Sequence, residues 1–189
     1  MEPLSSAEPL TQVAVRVVTA NSVDVEQLSA VAARTFVLAC PSSVAPENVA
    51  SFVDSNLSAA RFAEYLADPH RTILTAQRDD RIIGYAMLIR GVADDPDVQG
   101  AVPIRPAAEL SKMYVLPDHH GAGVATALMD LALASAGNWG AACVWLGVNR
   151  ANQRAQRFYT KCGFTISGTR TFQVGARRED DFVMVRRLR

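Results

Sequence analysis

What this chain has least of is net charge: its 19 lysines and arginines are offset by 19 aspartates and glutamates. A neutral chain carries no bulk field to draw it to nucleic acid or to an anionic membrane. Long apolar runs are also missing. None approaches the roughly 20 residues that a membrane helix needs, and the opening residues carry no signal-peptide pattern. Cysteine is scarce. Cys40, Cys143 and Cys162 are odd in number, widely spaced and never in a CxxC pair, which argues against a disulfide framework and for reduced thiols in the cytoplasm. His70, His119 and His120 are the only histidines, and no cysteine or carboxylate stands with them at ligand spacing, so no metal is expected. Repeats and low-complexity segments are absent.

What is present suits one domain. The chain has 189 residues and is 49% apolar, enough to bury a core. Residues 1–10 read as a disordered tail and 11–189 as the domain. Val13 to Val18 reads as a strand. Ser22 or Asp24 caps a helix through Val25, Leu28 and Val31. Pro46 and Ser58 open two more helical stretches. Thr72 to Gln77 and Ile82 to Ile89 read as a hairpin across Arg78-Asp-Asp-Arg81. Gly91 to Ala107 reads as a polar loop, long enough to suggest function. Its Asp94, Asp95 and Asp97 either attract a polyamine or form a solvated acidic loop. Thr165 to Leu188 reads as two further strands. The order predicts an α/β fold, one mixed twisted sheet of about seven strands flanked by helices.

The most informative stretch is Glu109-Leu-Ser-Lys-Met-Tyr-Val-Leu116, then Pro117-Asp-His-His120, then Gly121-Ala-Gly-Val-Ala125. Leu110, Met113 and Val115 argue for a strand, which Pro117 should end. Val124, Leu128 and Leu131 recur at helical spacing. Glycines between strand and helix expose backbone N–H groups at a positive helix end, which is an anion site. A Walker loop would need Lys and Ser/Thr where Val124 and Ala125 stand. A dinucleotide loop would need a small residue at Thr126 and an acid further on, which Ala141 to Leu146 do not hold. A coenzyme A pyrophosphate loop, Gln/Arg-x-x-Gly-x-Gly/Ala, fits His120 to Ala125 in all but its first place. A glycine turn with no ligand remains open on this segment alone.

A second segment decides. Val144-Trp-Leu-Gly-Val148 is an apolar run suited to a buried strand. Then come Asn149, Asn152, a helix through Ala155 to Tyr159, and a Cys162-Gly163 cap before Phe164. In this order the two segments resemble the GNAT superfamily of acyl-CoA-dependent N-acyltransferases, along most of the chain and most specifically from Glu109 to Phe164. Trp145 to Val148, Phe172 to Gly175, Asp180 to Met184 and Thr35-Phe36 are similar to the PaiA-like spermidine/spermine acetyltransferases.

The resemblance implies acetyl-CoA as cosubstrate and a primary amine of a small molecule as acceptor, polyamine-like in the PaiA branch. A peptide amine is the rival acceptor, and a non-catalytic acyl-CoA-binding domain the rival role. A homodimer is compatible with either. Met113, Tyr114 and Val115 would pair with the coenzyme arm, with the Val115 N–H on the thioester carbonyl. His120, Gly121, Ala122, Gly123, Val124 and Ala125 would hold the pyrophosphate, with Asn152 and Tyr159 beside the coenzyme. Tyr159 is the candidate acid and Glu109 the candidate base. Helix geometry sets Tyr159 at the margin of the apolar stripe, on the face of Asn152. Arg150, Arg154, Arg157 and Lys161 share another face, read as solvated.

Overall fold

The computed structural model describes residues 12–174 and 176–189. The tail expected over residues 1–10 lies outside them. Seven strands form one sheet: β1 (Ala14–Val18), β2 (Arg71–Arg78), β3 (Arg81–Arg90), β4 (Ala107–Val115), β5 (Cys143–Asn149), β6 (Thr165–Val174) and β7 (Arg177–Arg187). Their order is β1-β2-β3-β4-β5-β7-β6, so the last strand is inserted beside β5 and its predecessor stands at the edge. β4 and β5 are parallel, and every other neighbouring pair is antiparallel. The helices are α1 (Val25–Ala39), α2 (Pro46–Asn56), α3 (Ala59–Ala67), α4 (Pro96–Ala101), α5 (Val124–Asn138) and α6 (Gln153–Lys161).

Local chemistry sets most boundaries. Asp24 caps α1, accepting from Gln27 N at 3.0 Å, while Ser22 accepts from Thr19 N instead. Pro46 occupies the first turn of α2, where its missing N–H costs nothing. Ser58 caps α3. Asp79 and Asp80 take φ of 51° and 59°, the left-handed pair of a tight hairpin turn joining β2 to β3.

Gly91 to Ala107 is not a polar loop. It contains α4, which buries Val98 and Ala101 beneath the sheet with Trp145 and Val183. Polar residues hid this because the helix is short and only one side is apolar. The Asp95 carboxylate caps α4, accepting from Asp97 N at 2.8 Å. Asp94, Asp95 and Asp97 thus gather where α4 starts. Their segment joins β3 to the beginning of β4, at the end of that strand away from the glycine loop.

The core has two faces. Leu74, Ala86, Leu88, Leu110, Leu128 and Met129 pack between the sheet and α5. Leu28, Phe36, Phe62, Ile73, Tyr85 and Met87 pack between the sheet and α1 to α3. Full burial of side chains such as Leu128 and Met129 contributes about 1.5–3 kcal/mol each.

Two irregularities in β4 position everything that follows. Leu88 faces Leu110 and Met87 faces Lys112, so Ser111 is the extra residue of a bulge. The bulge lets Leu110, Met113 and Val115 share the α5 face although their spacing is odd. It also puts Glu109, Lys112 and Tyr114 together on the α1 face. Second, β4 pairs with β5 only through Ala107–Glu109 opposite Cys143–Trp145. Past Glu109 the two strands part.

Candidate active site

The parting exposes backbone. Leu116 N–H donates to Ile83 O at 2.8 Å. Antiparallel bonds alternate, so Tyr114 and Tyr85 form the next bonded pair. Met113 and Val115 therefore turn their N–H and C=O toward β5, which is no longer there to take them. Main-chain groups inside a sheet need partners, and an extended amide-bearing ligand can supply them. Tyr114, named with them from the sequence, is placed differently. Its main chain belongs to β3 and its ring lies 6.1 Å from the Tyr85 ring, among the residues under α1. Burial pushes its phenol up to about 12, with Cys40 and Asp181 adding to the effect.

The glycine loop follows directly. Gly121 and Gly123 have φ of 79° and 77°, which only glycine adopts without strain. Gly123 is the N-terminal cap of α5, and no side chain caps that helix. The N–H groups of Val124, Ala125 and Thr126 thus lack intrahelical partners at the positive end of a 15-residue helix. His120 stands in the loop as a bridge. One ring nitrogen lies 2.8 Å from Val115 O and the other 2.9 Å from Arg154 Nη2. A carbonyl only accepts and a guanidinium only donates, so the two contacts together call for a ring that donates through Nε2 and accepts through Nδ1. His120 thereby ties the loop to the end of β4 and draws Arg154 to it. Arg154 is exposed, as a solvated basic face expects, yet it makes this contact, which a helix wheel cannot show because the partners stand 34 residues apart.

Asn152 caps α6, its side-chain oxygen accepting from Ala155 N at 3.0 Å, so only its amide nitrogen is left for a ligand. Tyr159 lies one ring spacing from Phe158 (5.6 Å) and Phe164 (6.0 Å). Among the described residues no hydrogen bond engages its hydroxyl. Burial pushes that phenol well above its ordinary value, with Tyr114 and Cys162 adding to it. It stays protonated at any working pH.

On the opposite face of β4 a cluster of charges forms that sequence reading missed. Arg170 on β6 reaches Asp181 on β7 at 3.4 Å and Glu109 at 4.0 Å. Its guanidinium lies 5.6 Å from the Trp145 ring centre and covers Gly147, where any Cβ would collide with it. Asn149 donates to Glu179 at 3.3 Å, and Arg177 pairs with Glu179 at 2.9 Å. Arg177 also donates to Ser43 O, closing the β6–β7 hairpin over the α1–α2 connection. Burial raises the Glu109 carboxyl, opposed by Arg170, Lys112 and Arg71. The available signal was Glu109 and Lys112 together, two opposite charges in the middle of a central strand.

Burial holds the Lys112 ammonium down to about 8, with Glu109 opposing and Arg71 and Arg170 adding to the fall. A depressed lysine pKa is a folding cost that is complete below about 8. Above it the unfolded chain holds more protons, so stability rises with pH until the unfolded value is passed. Lys112→Met should therefore stabilise the protein at pH 7, by up to about 3 kcal/mol. The gain should shrink between pH 8 and 10.5. Urea unfolding of both proteins at pH 7 and pH 10 measures it, and a variant less stable at pH 7 contradicts it.

A cleft of about 1060 Å³ lies elsewhere, bordered by Ile104, Met129, Lys161, Ile166 and Arg186. It takes in Thr126 at the start of α5 and the Cys162-Gly163 cap, but none of Met113, Val115, Gly121, Gly123, Asn152 or Tyr159, so the site is argued from main-chain geometry and not from cavity size.

Four similarities bear on this geometry. The profile of the acetyltransferase (GNAT) family matches residues 38–164. An uncharacterised N-acetyltransferase of Mycobacterium tuberculosis (strain ATCC 25618 / H37Rv) is 64% identical over 165 residues, covering 87% of this chain and 98% of its own. The crystal structure of the PaiA N-acetyltransferase of Thermoplasma acidophilum, in complex with coenzyme A, superposes with a TM-score of 0.72 at 19% identity, over 94% of this chain and 99% of that one. A GNAT family acetyltransferase of Elizabethkingia anophelis with acetyl-CoA bound gives a TM-score of 0.58 at 16% identity, over 93% and 98%. The last two speak for the fold alone. The profile covers two thirds of the chain and the mycobacterial relative nearly all of its own length, and from these matches it follows that this chain belongs to the GNAT family of acetyltransferases.

Proposed function

We propose that this chain transfers an acetyl group directly from acetyl-CoA to a primary amine of a small molecule. The observation that carries the reading is the parting of β4 from β5. It leaves the main chain of Met113 and Val115 without a strand partner, immediately before an uncapped helix that favours an anion. Gly121, Ala122, Gly123, Val124 and Ala125, with His120 and Arg154 beside them, suit a pyrophosphate. Asn152 adds its amide nitrogen at the start of α6. The Val115 N–H suits the thioester oxygen, where negative charge develops.

In the transfer the amine nitrogen bonds to the thioester carbon, and the carbon–sulfur bond breaks. Tyr159 is the donor to the departing sulfur. Its raised pKa makes complete proton transfer to a thiolate uphill, so its contribution is a hydrogen bond that strengthens as the sulfur gains charge. Glu109 takes the proton that the amine loses. It lies on the other side of the bulge from Met113, roughly 10 Å back at about 3.3 Å per residue with Ser111 bulged out, so a water relay connects them. Polyamine attraction through Asp94, Asp95 and Asp97 gains no support, since they stand beside α4 at the far end of β4. Three free cysteines fit a reducing cytoplasm.

The test is thiol release from acetyl-CoA over a panel of primary amines. A binding domain without activity takes up acetyl-CoA and releases no thiol, and that outcome would end the catalytic reading. Glu109→Gln resolves the base. A base works ionised, and burial has raised this carboxyl, so wild-type kcat/KM should fall with acid from a pH above the ordinary carboxylate range. In Glu109→Gln, kcat/KM should drop and that acid limb should vanish, with acetyl-CoA affinity little changed. An unaltered pH profile would make Glu109 a partner of Arg170 only.

A further inference from the structure

We propose that the acceptor is an amino acid, an amine carrying its own carboxylate, and that Lys112 receives that carboxylate. This rests on the acetyl-transfer reading above and names the substrate class.

The argument is a balance of charges on the α1 face of β4. Three carboxylates are gathered there, and two are engaged by Arg170: Asp181 at 3.4 Å and Glu109 at 4.0 Å. The third, Glu179, pairs with Arg177. Arg71, which also faces this region, pairs with Asp68 at 3.0 Å. Lys112 is different. Among the described residues it has no carboxylate within ion-pair distance, and its ammonium lies 5.9 Å from the centre of the Phe52 ring. A polyamine would bring two or more positive charges to a cluster whose carboxylates are already answered by arginines. An amino acid brings one charge of each sign and leaves the balance intact. Its carboxylate gives Lys112 the ion pair that the fold withholds, and its amine stays within a water relay of Glu109.

The spacing allows both contacts at once. Glu109 and Lys112 point to the same face, and Ser111 is bulged out between them. They are therefore near neighbours on that face, roughly 7 Å apart along the strand, with long side chains that can close on one small zwitterion. Other side chains border the cluster. Arg170, held by two carboxylates, covers Gly147. Phe52 lies stacked on Phe36 at 4.4 Å. Lys112 touches neither the loop nor the exposed main chain assigned to the coenzyme, so it determines specificity and takes no part in the chemical step. A lysine kept in this place at a cost in stability fits that role.

The experiment compares each of the common L-amino acids with its C-terminal carboxamide, a set of diamines alongside, by thiol release from acetyl-CoA. The amide keeps the amine and side chain and removes only the negative charge. Wild-type protein should favour the acid over its amide by about 10–100-fold in kcat/KM, the usual worth of a charge-assisted hydrogen bond. Lys112→Gln should erase that preference through KM, with kcat on the amide retained, and Lys112→Glu should turn it toward the amide or diamine. Equal rates for acid and amide in the wild type would overturn the inference. So would a preference that survives in Lys112→Gln. Turnover of diamines with no amino acid accepted would overturn it and leave acetyl transfer standing. Thermal stabilisation by acetyl-CoA without thiol release for any amine would overturn both.

Discussion

Tyr159→Phe should lose about 10²–10³ in kcat, the ordinary worth of one donor that stabilises charge developing in the transition state, while the fold stays intact. The ring is what packs: it meets Phe158 and Phe164 edge-on, and phenylalanine preserves those contacts. The hydroxyl bonds to nothing among the described residues, so its removal leaves no buried partner unsatisfied. A tyrosine kept for the core would instead have its hydroxyl satisfied, and its loss would appear as a fall in melting temperature with kcat near normal. Melting temperature and kcat, measured on one preparation, separate the two. A stable mutant with wild-type turnover would remove Tyr159 from the mechanism. Acetyl-CoA affinity should change little, since at most one hydrogen bond is at stake, roughly 0.5–1.5 kcal/mol.

The second large effect is expected at Gly123. Gly123→Glu should abolish the rise in melting temperature that acetyl-CoA produces. The site has two properties that must be told apart. Its φ of 77° strains any side chain, by roughly 1–2 kcal/mol. Nothing lies within 4 Å of a Cβ placed there, so no clash adds to the strain. Gly123→Ala carries the strain without the charge, and it should lower the melting temperature yet still respond to acetyl-CoA. Gly123→Glu carries both, and sets an anion against the unpaired N–H groups that begin α5. Its melting temperature without ligand should match that of Gly123→Ala. A normal acetyl-CoA response in folded Gly123→Glu would take away the pyrophosphate assignment. NADH should stabilise none of the three proteins.

Tyr159 and Gly123 both lie in segments whose form is set locally along the chain. The glycine loop and the Asn152–Tyr159 helix were legible in the chain because everything that makes them is local. Pro117 stops a strand, two glycines relieve the turn, and apolar residues return at helical spacing within a few turns. The cluster of charges was not legible. Glu109, Arg170 and Asp181 come from three strands, and they meet only because β7 inserts beside β5 and leaves β6 outside. The Arg170–Asp181 half could be read from a hairpin register, since those residues are direct cross-strand partners. Glu109 could not, because strand order is not a local property. α4 was missed for a related reason: its burial depends on the sheet beneath it and not on its own composition.

By itself, then, the sequence determined the family's order of elements, the glycine turn that opens α5 and the tyrosine at the margin of its helix, because short-range sterics and hydrogen bonding dictate each of them. Only the tertiary structure decided which strand would be left without a partner. The bulge at Ser111 sets the faces of β4, and the parting of β4 from β5 exposes Met113 and Val115. The His120 bridge brings Arg154 to the loop, and among the described residues Lys112 has no carboxylate within ion-pair distance. Each depends on which distant segments become neighbours, and that is settled by packing seven strands and six helices around common cores.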